Sequence, residues 1–296
     1  MAVLKVENLC KNFKRQEILK NLNLTLNEGE VTCLMGPNGV GKTTLMNIIC
    51  DLLSKDSGAV FLNGREAKEN REAYVKDLSC IIEAPALYQM LSGYENLKLA
   101  ADLNNSSKEQ LEEILSLIDL KDAIYKRVKG YSLGMKQRLA LGMTLLQNPK
   151  LLILDEPTNG LDLTGVLEFR KLILRLKQDH KVSVLISTHI MSDVEILSDR
   201  VLFLKNGQLH VADEIEQLKE KKRIRFMTDH EHQLSELLES KFQTPLITQD
   251  NKVEIMIDKS QLFEMLQVLQ EFKSYYLDFE ILNPSIESVY QAFYQA

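Results

Sequence analysis

The amino-acid sequence predicts an α/β protein with a mostly parallel central sheet, followed by a small α+β unit. Three observations support this fold class. Short β-rich runs alternate with helical patterns from Ala2 to about Leu209, the central runs are apolar throughout, and a new alternation begins after about Asp213. Strands that are apolar along their whole length are typical of parallel sheets covered by helices on both faces. The 296 residues, 45% of them hydrophobic, suffice for one large domain and an appendage.

The first unit, residues 1–213, is expected to be the larger domain. Its strand candidates lie at residues 4–7, 31–35, 151–154, 182–187 and 201–204. Between about residues 90 and 147 the β signals disappear and helical spacing replaces them. One helical face there is formed by Leu111, Ile114, Leu115 and Ile118. The sequence therefore predicts a helical insertion in this domain.

The second unit, residues 214–296, begins with a stretch rich in Lys and Glu. Its predicted elements follow the β-α-β-β-α-β order of the split βαβ motif. The predicted strands are residues 224–228, 245–248, 253–257 and 275–281, and the predicted helices are residues 231–238, 261–271 and 285–294. The last helix has an apolar face made of Ile286, Val289, Tyr290 and Phe293. We expect this face to pack against the unit's own sheet, although a partner is the alternative.

Composition and the distribution of apolar residues restrict the functional class. The net charge of −6 argues against nucleic acid as the main partner, because such proteins usually carry a basic excess. The first 14 residues contain no apolar signal core. The longest apolar runs fall far short of the ~20 residues that a membrane helix needs. The four cysteines form no CxxC pair and are expected to be reduced and buried; they are Cys10, Cys33, Cys50 and Cys80. We therefore expect a protein that stays inside the cell and does not span a bilayer alone.

A phosphate-binding motif follows the second predicted strand. The run Gly36-Pro37-Asn38-Gly39-Val40-Gly41-Lys42-Thr43 matches G-x-x-x-x-G-K-[ST] and precedes a predicted helix at residues 44–52, which begins with Thr44. Glycines let backbone N–H groups turn around phosphate oxygens, and the helix N-terminus adds positive potential. Lys42 would reach the β- and γ-phosphates, and Thr43 would hold Mg²⁺. A simple glycine-rich turn would not explain the complete motif in this context.

Two carboxylates come at the end of the apolar strand at residues 151–154. They are Asp155 and Glu156, and α/β sheets bind ligands at the carboxyl ends of their strands. This pattern resembles a Walker B motif, in which Asp155 would hold Mg²⁺ directly or through water. Glu156 would act as general base on the attacking water. A solvated strand end explains one acid better than two.

The segment before this strand identifies a family. The run Tyr131-Ser132-Leu133-Gly134-Met135-Lys136-Gln137 resembles the signature of ATP-binding-cassette (ABC) ATPases, usually written LSGGQ, in the YSLGM form of many bacterial exporter ATPases. The resemblance implies a P-loop NTPase cassette with a mostly parallel sheet, an antiparallel β portion and a helical subdomain. It also implies that Ser132 and Gly134 of one subunit touch the γ-phosphate of ATP bound to another. From the residues alone, Ser132 is a helix N-cap that binds an anion or only caps its helix.

Three further residues match the family's pattern. The resemblance implies that Asp162, in Gly160-Leu161-Asp162, belongs to the loop that meets its counterpart across the dimer. It implies that His189, after a predicted strand, contacts the γ-phosphate. Phe13 takes the place of the aromatic residue that stacks on adenine, with a core phenylalanine as the alternative.

One position departs from the family's common pattern. Glu83 stands where most members carry a glutamine that bridges Mg²⁺ and the attacking water to the membrane subunit. Glutamate still reaches a metal but adds a formal charge to the site. Together with the YSLGM signature and the C-terminal extension, Glu83 makes the chain similar to ATPases of bacterial bacitracin and lantibiotic immunity and export.

The resemblance predicts the ATP-hydrolysing subunit of a membrane exporter, with ATP and Mg²⁺ as cofactors. Its predicted partners are transmembrane permease subunits and a second ATPase subunit in a homodimer or heterodimer. Its expected location is the cytoplasm, peripheral on the inner face of the cell membrane.

Two other classes of ABC protein are alternatives. An ATPase acting on ribosomes or nucleic acid would carry a coiled-coil interruption or two cassettes, and the chain shows neither pattern. A regulatory cassette without hydrolysis would lack one of the motif residues, whereas Ser132, Gly134, Glu156 and His189 are all present.

Overall fold

A computed structural model describes residues 2–14, 16–83, 86–180, 182–211, 221–244, 246–249 and 251–282, together with Tyr290 and Tyr294. The chain divides into two compact units, Met1–Val211 and Ala212–Ala296. The boundary predicted from the sequence, between residues 213 and 214, lies outside the described residues and stays a prediction.

The first unit contains nine strands and seven α-helices among its described residues. Its strands are β1 (Ala2–Phe13), β2 (Gln16–Asn27), β3 (Val31–Met35), β4 (Ser57–Leu62), β5 (Leu78–Ile81), β6 (Leu151–Asp155), β7 (Ser183–Ser187), β8 (Arg200–Lys205) and β9 (Gln208–Val211). Its helices are α1 (Lys42–Ile49), α2 (Arg71–Lys76), α3 (Gly93–Asn104), α4 (Lys108–Ile118), α5 (Leu133–Leu145), α6 (Leu163–Arg175) and α7 (Met191–Leu197).

A six-stranded sheet with the order β5-β6-β7-β3-β8-β9 forms the centre of this unit. All neighbouring strands pair in parallel except β9, which is antiparallel to β8. Every residue of β3 and β7 is buried, as expected for strands covered on both faces. The predicted α/β class with a mostly parallel sheet is therefore confirmed. Because parallel strands end at the same edge, the segments after β3, β5, β6 and β7 lie along one edge of the sheet.

A separate antiparallel sheet, β2-β1-β4, accounts for the β portion that the family resemblance implies. Leu22, Leu24 and Leu26 of β2 are buried and alternate with exposed Asn23 and Thr25, so one face of the sheet joins the core. Register shifts interrupt the pairing of β1 with β2. Only residues 4–7 of the long β1 were predicted, because these irregularities break its alternation.

Three helices, α3, α4 and α5, lie in the predicted helical region, where α3 and α4 both pack against α5. Their starts follow from local chemistry. Ser92 and Glu95 form a capping box at α3, and Ser107 and Gln110 form another at α4. In the described part of the chain, no helix combines the length and apolarity needed to cross a membrane.

In its described residues, the second unit is an antiparallel sheet with two α-helices. Its elements are β10 (Lys221–Met227), α8 (Glu231–Phe242), β11 (Leu246–Gln249), β12 (Lys252–Asp258), α9 (Leu262–Glu271) and β13 (Asp278–Leu282). The strand order β11-β12-β10-β13 places each βαβ connection across an intervening strand, as the split βαβ motif requires. The last strand starts three residues later than predicted, because Lys273–Tyr275 forms a 3₁₀ turn. Most of the predicted helix at residues 285–294 lies outside the described residues.

The four cysteines are free thiols. Cys33 and Cys50 are buried, whereas Cys10 and Cys80 are half-buried. The expectation that the thiols are free agrees with this arrangement. The expectation that they are buried holds for Cys33 and Cys50 and not for the other two.

Candidate active site

The loop between β3 and α1 is shaped by its glycines. Gly39 and Gly41 have φ angles of 79° and 114°, which L-residues rarely adopt. A Cβ on Gly41 would lie 2.9 Å from Ile18 Cγ2, so a side chain would not fit there. Residues in such conformations turn successive N–H groups inward and form a concave anion-binding surface at the helix start. The geometry of this loop suits phosphate.

Lys42 is the first residue of α1, and only 5% of its surface is exposed. Its Nζ donates hydrogen bonds to the carbonyl oxygens of Gly36 and Pro37 at 2.8 and 3.3 Å. The same Nζ lies 3.8 Å from Glu156 Oε1. The ammonium is thus held inside the loop, close to a carboxylate on the neighbouring part of the sheet edge.

Thr43 and Asp155 meet at the end of β6. The Thr43 hydroxyl donates a hydrogen bond of 2.6 Å to Asp155 Oδ2, and the Ser187 hydroxyl donates to Oδ1. Asp155 and Ser187 are direct register partners on the parallel strands β6 and β7, which explains their contact. A hydroxyl and a carboxylate are oxygen ligands of the kind that Mg²⁺ prefers. Among the described residues, no group of three His, Cys, Asp or Glu side chains could hold a metal.

Glu156 is held by its backbone and by several neighbours. Its φ is 46°, an uncommon value for a residue other than glycine that often marks functional positions. Its N–H contacts both the carbonyl oxygen and the hydroxyl of Ser187, at 3.1 and 2.9 Å. Its Oε2 lies 3.3 Å from His189 Nδ1 and also 3.3 Å from Asn159 Nδ2. A partly exposed carboxylate held in this way can accept a proton from water.

The predicted residues Lys42, Thr43, Asp155, Glu156 and His189 therefore form one cluster. The loop candidates Gly36 to Gly41 and the helix residue Thr44 adjoin this cluster. The remaining candidates lie elsewhere in the first unit. Glu83 is exposed, with a φ of 68°, and follows β5, whose Ile81 pairs with Leu154 at the same sheet edge. In the described part of the chain, Glu83 makes no hydrogen bond to the cluster.

Ser132 and Asp162 are helix N-caps. Ser132 Oγ accepts a hydrogen bond from Met135 N–H, and Asp162 Oδ1 accepts one from Gly165 N–H. Gly134 has a packing role as well, because a Cβ there would lie 3.3 Å from Gly165 Cα on α6. The signature segment thus makes ordinary local contacts within this chain, and its exposed serine is available to another molecule.

Phe13 is the last residue of β1 and is 46% exposed. A core phenylalanine would be buried, so the alternative considered for this residue is wrong. The Lys11 ammonium lies over the ring, 5.3 Å from its centroid. The ring is therefore a surface aromatic with a cation on it.

The sequence did not identify the residues that support the cluster. Ser187 contacts both Asp155 and Glu156, and Asn159 contacts Glu156. The i, i+3 spacing could have indicated Asn159, whereas the position of Ser187 depends on a strand pairing that neither segment encodes. A second support is buried: Asp193 accepts hydrogen bonds from Arg170 and from the Thr158 hydroxyl. This network joins the loop after Glu156 to the helix after His189. No sequence signal distinguished Asp193 from a solvated helix residue.

Comparisons with known proteins agree with this geometry. Residues 19–159 match the family model of the ABC transporter domain. The ABC transporter ATP-binding protein YhcH of Bacillus subtilis is 35% identical over 293 residues, which cover 97% of this chain and 94% of that protein. The lantibiotic transport ATP-binding protein SrtF of Streptococcus pyogenes is 40% identical over 212 residues, 72% of this chain and 91% of SrtF.

Another relative is the bacitracin transport ATP-binding protein BcrA of Enterococcus faecalis, 34% identical over 259 residues. The match covers 86% of this chain and 83% of BcrA. A solved ATP-binding subunit of an ABC transporter superposes with a TM-score of 0.65 and 29% identity, covering 73% of this chain and 92% of that one.

Proposed function

The chain belongs to the family of ABC transporter ATP-binding proteins, and on that premise we propose that it powers export through separate transmembrane permease subunits. Like its family, it is an ATPase. The observation that carries the proposal is the position of Glu156. Its carboxylate lies beside Lys42, Asn159 and His189, next to the loop between β3 and α1. An ammonium, a carboxylate and an imidazole at one sheet edge suit phosphoryl transfer to water.

The phosphates of ATP are assigned to the loop between β3 and α1. Its backbone N–H groups, with those at the start of α1, would surround the β- and γ-phosphates. Lys42 would exchange its present partners, the carbonyl oxygens of Gly36 and Pro37, for phosphate oxygens. Thr43 and Asp155 would hold Mg²⁺, which, when bound, neutralises charge on the phosphate oxygens.

Glu156 is assigned the role of general base. As the water oxygen attacks the γ-phosphorus, Glu156 takes the water proton, and the bond to the leaving oxygen of ADP breaks. His189 would contact the γ-phosphate and keep the carboxylate in place. Ser187 fixes the main chain of Glu156 through two contacts, so the base has little freedom to move away.

The site is proposed to be completed by a second ATPase subunit, identical or related. Within the described part of the chain, Ser132 and Asp162 make no hydrogen bond to the cluster, and Gly134 packs against Gly165, which fits a role across an interface. Large apolar side chains at the starts of α5 and α6 are exposed, including Leu133, and Leu163 at 76%. Exposed leucines beside two helix N-caps are what a subunit interface would cover.

The cargo is proposed to be a peptide antibiotic or a drug. The similarity to lantibiotic and bacitracin transport proteins, together with Glu83 at the position of the family's usual glutamine, supports this choice. The subunit would then act on the inner face of the cell membrane. Glu83 would face the permease subunit and link its movement to the state of the nucleotide.

A first test compares Glu156→Gln with the purified wild-type chain. The amide keeps the size of the side chain but removes the base, so turnover should fall by roughly 10²- to 10⁴-fold while ATP binding persists. Glu112→Gln is the matched control, since Glu112 is an exposed residue of α4, and its turnover should equal that of the wild type. Wild-type turnover in Glu156→Gln would show that another group is the base.

A second test identifies the partner. The tagged Glu156→Gln chain, which should retain ATP, is purified from detergent-solubilised membranes of its host. Proteins with several transmembrane helices should copurify and depend on ATP. Ribosomes or DNA-repair proteins in their place would contradict the transporter assignment.

A further inference from the structure

Lys11 is a buried lysine outside the catalytic cluster. Only 7% of its surface is exposed, although lysine is rarely buried unless its charge is paired. Its Nζ lies 3.2 Å from Asp56 Oδ1 and 5.3 Å from the centre of the Phe13 ring. The ammonium therefore has two partners, a carboxylate and an aromatic face.

Asp56 fastens the end of β1 to the segment before β4. Its Oδ2 accepts hydrogen bonds from Asn12 N–H at 2.6 Å and from Asn12 Nδ2 at 3.0 Å. Its own N–H donates to the carbonyl oxygen of Cys10 at 3.1 Å. The hydrogen bond from the Asn12 N–H is the largest cause of a lowered pKa of the Asp56 carboxyl. Because the pKa of Asp56 is lowered in the folded state, its carboxylate stays charged at neutral and mildly acidic pH. It is protonated, and the ion pair with Lys11 is lost, only when the pH falls below the ordinary pKa of an aspartate.

This arrangement restricts Phe13 while leaving its ring accessible. The residue is 46% exposed, so a flat ligand can lie against the ring. A cation on an aromatic face is attracted by the ring quadrupole, and the attraction grows when water is excluded, as it is around Lys11. The same cation draws electron density from the ring, which reduces the repulsion between two stacked π faces.

We propose that Lys11, anchored by Asp56, is a positioning residue that holds Phe13 for stacking against the adenine base of ATP. This inference rests on the proposed function, with the phosphates in the loop after β3. Lys11 contributes to recognition of the base and not of the phosphates. It acts through Phe13 and takes no part in the bond-breaking step.

The test uses the full chain and two probes that bind without turnover, Mg·ADP and Mg·pyrophosphate, the second of which has no base. Isothermal titration gives both dissociation constants. Lys11→Met should weaken ADP binding roughly 3- to 10-fold and leave pyrophosphate binding unchanged. In the ATPase assay, the same variant should raise KM for ATP with kcat retained. Lys11→Arg keeps the cation and should restore ADP binding.

Two further variants separate the charge from the anchor. Lys11→Gln can still hydrogen-bond to Asp56 but carries no cation, so it should weaken ADP binding as Lys11→Met does, even if the methionine variant folds poorly. In a Phe13→Ala background, Lys11→Met should have no additional effect on ADP, because the ring through which it acts is absent.

Other outcomes would overturn the inference. Equal weakening of ADP and pyrophosphate binding would make Lys11 a structural anchor only. Normal ADP binding by Lys11→Gln, with weak binding by Phe13→Ala, would mean that the ring needs no cation. If Phe13→Ala bound ADP normally, the assignment of Phe13 to adenine would fail, and if the wild type bound neither probe, the proposed function itself would fail.

Discussion

Replacing Asp193 with asparagine should destabilise the first unit strongly. Asp193 is 1% exposed, and its Oδ1 accepts a 2.7 Å hydrogen bond from Arg170 Nε and a second from the same guanidinium. Its other oxygen accepts from the Thr158 hydroxyl. The substitution keeps the shape but leaves the Arg170 charge buried without its counter-charge. Breaking a buried pair in this way costs about 3–5 kcal/mol.

That loss is a large fraction of the roughly 5–15 kcal/mol by which domains are stable. For a unit of this size it corresponds to a fall of about 6–20 °C in Tm. The chain contains no tryptophan, so urea and thermal unfolding are followed by circular dichroism. With two units present, the transition that Mg·ADP shifts upward belongs to the first one, because a ligand stabilises the unit that binds it.

Glu112→Gln provides the matched control for this substitution. It also converts an acid to its amide, but Glu112 pairs with Lys108 on the surface of α4 at 3.6 Å, with both side chains mostly exposed. Such pairs contribute about 0.5 kcal/mol or less. If Asp193→Asn cost less than about 1 kcal/mol, Arg170 would have to be solvated, and the argument from its burial would be refuted.

Two other predictions follow from the described contacts. Ser187→Ala removes the hydroxyl that donates to Asp155 and accepts from the Glu156 N–H, so kcat should fall roughly 10-fold with ADP affinity retained. Steady-state kinetics measure kcat, and calorimetric titration measures the affinity for ADP. An unchanged kcat would show that the hydroxyl is dispensable. Burial raises the pKa of the Cys33 thiol, so little thiolate forms there at pH 8, and an aromatic disulfide reagent should label Cys33 only after denaturation. Peptide mapping by mass spectrometry checks this, with the half-buried Cys10 as the internal reference, and labelling of Cys33 as fast as that of Cys10 would contradict the burial argument.

The sequence predicted the parts of the site that a local pattern encodes. The loop from Gly36 to Thr43 lies directly between β3 and α1 as its motif requires, although α1 begins at Lys42 and not at Thr44. The carboxylates Asp155 and Glu156 stand where the apolar run ends. The resemblance to ABC transporter ATPases of the lantibiotic and bacitracin type is confirmed by the relatives found.

Contacts that depend on strand order were not predicted. Ser187 reaches Asp155 because β7 is the neighbour of β6, and nothing in either segment states that they pair. Arg170 and Asp193 are single polar residues in α6 and α7, and a polar residue in a helix ordinarily faces water. Strands β2, β4, β5 and β9 were not predicted, although the leucines of β2 alternate clearly.

The loop that carries Glu156 is held from two sides. On one side, Ser187 of β7 accepts a hydrogen bond from the Glu156 N–H. On the other side, Asp193 of α7 accepts a hydrogen bond from the hydroxyl of Thr158, two residues after Glu156. Glu156 and His189, which lie 3.3 Å apart, are therefore held on segments that this network connects. In contrast, Ser132 and Asp162 stand at exposed helix starts, where each accepts a hydrogen bond from a backbone N–H three residues further along its own helix. On the proposed function, one chain supplies the general base and the phosphate-binding loop of a site. The contacts of the signature segment with that site would come from a second subunit. ATP binding would then be a property of each chain, whereas rapid hydrolysis would depend on closure of two chains on the nucleotide.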